Sequence, residues 1–371
     1  MDFLHRCKRF YTSVSYKSIL IIFLHFNFLG IEAKEKSNLQ PIKIAFGSCM
    51  DQDLEKQIWK SVLNTNPNVW LWLGDNIYKD TYDKQEKELA YAKQKQEPLY
   101  SLLRTKTKVL GVWDDHDFGI NDSGMEYPKK EMSRDLFFQF LDINPKNHAL
   151  PKEGIYQKWI LQERNLKVRF FLLDTRTFRT ALKKGYWDSI QREGYIEDDS
   201  PETDMLGKEQ WSWLEANIKP EGEDLNIIVS SIQVLNDTHP FEKWSNFPKQ
   251  RKKLLNLIAK HIPKNTILLS GDRHIAEIFE ERGEKGNLYI DFTSSSLNKP
   301  IKGLYQETQD ERRKSKVISQ ENFGLIEVRK QKRKLHISLK IIGLEDVLEE
   351  RAYLRLVGDT GIEPATSTMS R

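Results

Sequence analysis

Short runs of apolar, β-branched and aromatic residues recur along the chain, and most of them stop at a glycine or an acidic side chain. Residues 42–46 (IKIAF) read as a strand, 54–63 as a helix and 69–73 (VWLWL) as a buried strand. A charged helical stretch from Lys84 to about Leu103 follows and delivers a third strand at 109–113. Strand alternating with helix is the pattern of a parallel sheet with right-handed crossovers, and such sheets bind ligands beyond the carboxyl ends of their strands.

The alternation continues with a strand at 168–173 and a helix opened by Leu206 and Gly207 that carries Trp211, Trp213 and Leu214. A strand at 227–231, a helix at 249–261 and a strand at 266–269 come next. Strands at 288–292, 325–328 and 335–339 then read as strands of a second sheet. The predicted fold class is α/β, a two-sheet sandwich flanked by helices. No internal repeat and no long linker divides the chain. Residues 185–203, with Gly194, Pro201 and several acids, read as a long surface loop or lid. Residues 344–371 read as a C-terminal tail, polar and without periodicity from Gly358 onward.

The first thirty residues break this pattern. Arg6, Lys8, Arg9 and Lys17 precede an apolar stretch at 18–30, and Ala33 offers a small residue for cleavage. Residues 1–33 therefore read as a signal peptide, and the protein as secreted or periplasmic. A membrane anchor formed by the same stretch is the alternative, although its apolar part is shorter than the ~20 residues that span a bilayer. Neither a small-residue-Cys lipobox nor an Arg-Arg pair accompanies it. The folded domain is then expected over residues 40–343, and membrane contact is expected to be transient unless the segment is retained.

Composition agrees with one large core, since 371 residues at 39% hydrophobic and 11% aromatic can bury one. The charge of +4 is a small difference between 58 basic and 54 acidic residues, so no specific nucleic-acid binding is expected. Of the two cysteines, Cys7 lies in the segment to be removed and only Cys49 remains, which excludes an internal disulfide. A lone thiol in an exported protein asks for a chemical explanation, unless it is simply a small buried apolar side chain.

Four strand-end motifs carry the candidate chemistry: Gly47-Ser48-Cys49, Gly74-Asp75-Asn76-Ile77-Tyr78, Trp113-Asp114-Asp115-His116-Asp117 and Ser270-Gly271-Asp272-Arg273-His274. Together they offer the Cys, Asp, Tyr and His side chains that hold a pair of metal ions. Asp75 is the candidate bridging carboxylate, or else a turn residue. Tyr78 is a candidate phenolate ligand, or else a packed ring. The run of three carboxylates and an imidazole at 114–117 repels itself unless a cation lies nearby, and His116 is the candidate general acid. Asn121 is a candidate neutral ligand or a turn residue. Asp272 and His274 have the i, i+2 spacing that puts two side chains on one side of an extended segment. Arg176 and Arg273 are candidate phosphate contacts or ordinary salt bridges, and His239, Trp244 and Phe247 are candidate cleft residues.

The order of these motifs, together with Leu173-Asp174-Thr175-Arg176 and Thr293-Ser294-Ser295-Ser296-Leu297, resembles the alkaline phosphatase D (PhoD) family of the calcineurin-like metallophosphoesterases. The resemblance implies a metallophosphoesterase-like fold, Cys49 and Tyr78 on a ferric ion, and Asp75 bridging to calcium. It also implies that Asp114, Asn121, Asp272 and His274 complete the shell; the residues themselves make Asp75, His116 and Arg176 the candidate catalytic set. Family members often have Glu where this chain has Asp117, and many have a separate N-terminal β domain ahead of the catalytic one. The expected activity is metal-dependent hydrolysis of small-molecule or lipid phosphate esters, monoesters or diesters, by a metal-activated hydroxide. The alternatives are a phospholipid-cleaving phosphodiesterase and a non-catalytic, calcium-binding cell-envelope protein.

Overall fold

The computed structural model describes residues 40–147, 149–301 and 308–356. The signal-peptide reading of residues 1–33 and the frayed end from Gly358 lie outside them.

The first half runs β1 (Ile42–Gly47), α1 (Ile58–Thr65), β2 (Val69–Leu73), α2 (Lys84–Lys95), α3 (Pro98–Arg104), β3 (Lys108–Val112), α4 (Asp115–Phe118) and α5 (Lys130–Phe140). Strands β4 (Gln157–Glu163), β5 (Leu166–Leu172), β6 (Lys184–Tyr186) and β7 (Glu193–Tyr195) follow, then α6 (Gly207–Asn217), β8 (Leu225–Val229), α7 (Pro248–His261) and β9 (Thr266–Ser270). The chain continues through β10 (Ala276–Arg282), β11 (Leu288–Ser294), β12 (Phe323–Gln331), β13 (Lys334–Ile342) and β14 (Val347–Leu356).

Two six-stranded sheets result, ordered β14-β13-β12-β1-β2-β3 and β10-β11-β9-β8-β5-β4, with β6 and β7 forming a separate hairpin. In the first sheet β1, β2 and β3 are parallel. In the second, β5, β8, β9 and β11 are parallel and the edge strands β4 and β10 are antiparallel. The two-sheet α/β sandwich read from the sequence is therefore present.

Alternation along each strand divides its side chains between two layers. Val168, Phe170 and Leu172 of β5 join the large core cluster between the sheets, whereas Phe171 joins a second cluster with Trp211 and Leu214 of α6 and Leu254 and Ile258 of α7. Covering both faces of a parallel sheet makes its strands read as continuous apolar runs. The sheets meet where Phe46 and Phe292 pack edge to face at 4.8 Å. On the outer face of the first sheet, Trp70 and Trp72 of β2 pack on Trp59 of α1, and Trp72 donates to the Tyr100 hydroxyl of α3 at 2.9 Å.

Five expectations need correction. Residues 325–328 and 335–339 belong to the first sheet, not the second, because β12 pairs antiparallel with the open edge of β1, Ile44 opposite Ile326. The tail expected from residue 344 instead contributes β14, paired with β13 over Lys334–Ile342. The single helix from Lys84 to Leu103 is two, because Pro98 opens α3 and leaves Glu97 extended at ψ 126. The first helix begins at Ile58 rather than 54 and ends at Asn66 in the left-handed conformation. The expected lid at 185–203 carries the β6–β7 hairpin, and Tyr195 of β7 donates its N–H to Pro240 O at 2.7 Å.

Candidate metal centre

The four strand-end motifs follow β1, β2, β3 and β9, so the turns of both sheets open toward one another at the carboxyl ends of their parallel strands. Tight backbone conformations bring them together. Cys49, Asp75, Asp272 and His274 all have left-handed φ, at 59°, 48°, 68° and 55°. Such conformations cost of order 1–3 kcal/mol each and persist where surrounding structure enforces them, which is common at functional sites. Gly74, at φ 100°, could not carry a side chain, since a Cβ would lie 2.4 Å from Asp114 Cβ. Asp272 and His274 therefore sit on a left-handed bend rather than on the extended segment their spacing suggested, and each joins a different ligand group.

Three groups of ligand-type atoms result, each within 4.8 Å: Cys49, Asp75 and His274; Asp75, Asp115 and His116; Asp114, Asp115 and Asp272. Asp75 is shared by the first two and Asp115 by the last two. Tyr78 joins the first group through its hydroxyl, which donates to Asp75 Oδ2 at 3.0 Å and lies 3.3 Å from His274 Nε2. Cys49 Sγ lies 3.5 Å from the same Asp75 oxygen. Ser295 Oγ, 3.1 Å from Cys49 Sγ, accepts the His274 N–H at 2.9 Å. His274 Nδ1 is bonded to the Lys299 carbonyl, which leaves Nε2 toward the group. The Lys299 ammonium sits 3.4 Å above the Tyr78 ring.

The electrostatics of the cluster favour added positive charge, as protons or a cation. Burial, then the Asp115 charge, pushes Asp75 up to about 8. Burial raises Asp114 well above the carboxylate range in spite of Arg176, and raises Asp272 likewise with help from Asp114 and Asp115. Burial and the neighbouring Asp75 charge raise both the Cys49 thiol and the Tyr78 phenol. Asp115, against the pull of burial, is held low by Arg176 and His116. Burial works against the His116 charge, but Asp75, Asp115 and Asp80 override it and push the imidazole up to about 10. Among the described residues, Asp75 Oδ1 and Asp114 Oδ2 are buried without a hydrogen-bond partner. Unpartnered carboxylate oxygens at the centre of a buried acidic group are what a cation would satisfy, so these residues fit a metal site.

Arg176 is fully buried. Its Nε donates to Asp114 Oδ1 at 2.6 Å and its Nη1 pairs with Glu242 Oε2 at 2.6 Å, so the side chain holds Asp114 rather than offering a free fork to a phosphate. Asp114 Oδ1 also accepts from Ser231 at 2.6 Å. Asp117 accepts the N–H groups of Asn76, Ile77 and Asp114 at 3.0–3.2 Å and ties the second and third motifs together. Lys87 of α2, also buried, donates to the carbonyls of Asp117 at 2.7 Å, His116 at 3.3 Å and Gly119 at 3.4 Å, closing the end of α4.

Several residues lie elsewhere than expected. Asn121 is exposed with its amide on Asp122, and its N–H donates to Asp80. Trp244 and Phe247 belong to the second core cluster, and His239 is buried, so they do not line an open cleft. Arg273 is buried with its guanidinium 4.6 Å from the centre of the Phe241 ring. Asp115, Asp80, Glu242, Ser231 and Ser295 are the members that sequence reading missed. The acidic run was the signal for Asp115, but spacing alone could not rank its carboxylates; Asp80 stood in a polar stretch with no signal at all.

Comparison with known proteins follows the same lines. Residues 44–339 match a family model described as PhoD-like phosphatase. Alkaline phosphatase D of Bacillus subtilis is 24% identical over 206 residues, covering 50% of this chain and 33% of that protein, so the match spans about a third of the relative's length. A solved structure of PhoD superposes with a TM-score of 0.67 at 17% identity, covering 88% of this chain and 73% of the other. A purple acid phosphatase from yellow lupin (Lupinus luteus) seeds gives 0.58 at 11% identity, covering 85% and 54%.

Proposed function

The chain belongs to the PhoD-like phosphatase family, and on that footing we propose that it is a metal-dependent phosphoric ester hydrolase. The observation that carries this reading is that Asp75 is shared by the group of Cys49 and His274, which Tyr78 joins, and the group of Asp115 and His116. Cations held there would neutralise phosphoryl oxygens and would make a hydroxide nucleophile available near neutral pH.

The roles follow from donor chemistry. Asp75 bridges. Cys49 and Tyr78, with His274, suit a ferric ion, whereas the all-oxygen group of Asp114, Asp115 and Asp272 suits calcium. Arg176 and Ser231 keep Asp114 oriented. His116 is the acid for the departing alkoxide: with Nδ1 held by Asp80 at 2.5 Å, Nε2 carries the proton to be given up. The substrates are small-molecule phosphate esters, and the sequence of residues 1–33 supports export. A calcium-binding envelope protein would need oxygen ligands alone and leaves the placement of Cys49 beside Asp75 without a purpose.

The test is hydrolysis of an aryl phosphate monoester and a bis-aryl diester by the purified protein supplied with iron and calcium. Turnover that disappears in Asp75→Asn supports the reading; a metal-loaded protein inert toward both esters removes it.

A further inference from the structure

A cavity of about 690 Å³ is lined by α7 and the β10–β11 hairpin, within the roughly 300–1,000 Å³ of small-molecule sites. None of its lining residues belongs to the ligand groups of the metal centre. Two buried polar side chains on its wall are left open. Among the described residues, Ser245, 4% exposed, has no hydrogen-bond partner for Oγ, and Asn287, 6% exposed, has none for either amide atom. Buried polar groups are hydrogen-bonded in the great majority of cases, so two such side chains on one cavity call for a ligand. Their polar neighbours are committed elsewhere. The Tyr289 hydroxyl donates to Leu255 O at 2.8 Å, and Arg251 donates to Val234 O at 2.6 Å and to Glu281 at 2.9 Å. Gly283 keeps the space beside the amide open, since a Cβ there would lie 2.6 Å from Asn287 Oδ1 and 2.8 Å from Tyr289 Cε2.

Charge on the wall is sorted. Asp237 and Glu281 are both bound to Arg312, and Glu281 also to Arg251. That leaves Lys252, Lys260, Arg282 and Lys285 against Glu197 and Glu284, a cationic surplus. Ser245 stands just ahead of Pro248, the first residue of α7, and no side chain caps that end of the helix. The amide groups there carry positive partial charge and favour an anion. Leu255 and Ala259, further along α7, and the Tyr289 ring add an apolar surface.

We propose that this cavity binds an adenine nucleotide, with Asn287 reading the edge of the base and Ser245 and Lys252 holding the phosphate. An Asn amide presents one donor and one acceptor side by side, the complement of the amino group and ring nitrogen on the exposed edge of adenine. A phosphate accepts from the hydroxyl and, more strongly, from the ammonium. The site goes beyond the hydrolase reading and does not depend on turnover.

Calorimetric titration of adenosine 5′-monophosphate into the EDTA-treated full chain tests it, because without cations the acidic metal cluster repels phosphate. Wild type binds this nucleotide more tightly than inosine 5′-monophosphate, which has an acceptor in place of the amino donor, and more tightly than ribose 5-phosphate, which has no base. Asn287→Leu weakens adenosine monophosphate about tenfold, the loss expected for one bidentate amide–base pair, and leaves ribose 5-phosphate unchanged; Lys252→Met weakens both. The Asn287 side chain makes no hydrogen bond that Leu would break among the described residues, and circular dichroism and melting curves establish that both variants are folded. No binding by wild type, equal affinity for the adenine and inosine nucleotides, or equal binding by folded Asn287→Leu overturns the proposal. Unaltered affinity in Lys252→Met overturns the placement of the phosphate.

Discussion

Asp80 and His116 form a carboxylate–imidazole pair, Oδ1 lying 2.5 Å from Nδ1. The second oxygen of Asp80 accepts the Asn121 N–H at 3.0 Å, so the carboxylate is itself held. A carboxylate fixed on one ring nitrogen sets which nitrogen faces the reacting group. Asp80→Asn is expected to lower kcat about ten- to a hundredfold, within the range of general acid catalysis, with iron and calcium content unchanged. Steady-state kinetics beside metal analysis decide it, and an unaltered kcat removes Asp80 from the mechanism.

Cys49→Ser is expected to lose iron and keep calcium, because thiolate is the soft donor of the first group and the oxygen-only group does not include it. Elemental analysis of purified protein is the measurement. Equal iron in the variant and wild type refutes the assignment.

Metal-free protein should lose stability as pH rises. The folded-state pKa of Asp75, about 8, exceeds the ordinary Asp value of about 4. Its contribution is therefore fully present below about pH 4 and lost as pH climbs through 8. Asp114 and Asp272 shift in the same direction, and so does His116, whose contribution is lost toward 10. The melting temperature in EDTA is expected to fall between pH 5 and pH 8, and Asp75→Asn to flatten the fall. A melting temperature that climbs over this window contradicts the account.

Lys87→Met keeps the length of a buried side chain and leaves the carbonyls of His116, Asp117 and Gly119 without their donor. The expected destabilisation is about 1–3 kcal/mol per group left unsatisfied, read by denaturant unfolding. The loosened α4 should also bind metal more weakly, since it carries Asp115 and His116. Wild-type metal affinity in a destabilised Lys87→Met would confine the lysine to a structural part.

The parallel strands and their turns were legible because each is written locally: VWLWL is apolar on both faces, and Gly74-Asp75 follows at once. Sheet membership was not, since nothing within residues 323–331 states that they pair with Ile42–Gly47 some 280 positions earlier. The ligand-bearing turns were found for the same local reason, and the supporting residues were not. Asp80, Lys87, Ser231 and Glu242 reach the site only through tertiary contacts 29 to 117 positions away in sequence. His239 could be noticed in the sequence, but its burial without a hydrogen-bond partner among the described residues belongs to the fold alone.

The proposed ligands come from turns of both sheets, with Cys49, Asp75, Asp114 and Asp115 on one and Asp272 and His274 on the other. That division sets an order of events during synthesis. Cys49 emerges from the ribosome more than two hundred residues before His274, so its thiol waits as an ordinary reactive group until the second sheet is made. Ion capture would then be a late, sealing step that rivets one end of the sandwich, and a chain starved of metal would be expected to gape first between those two rows of turns.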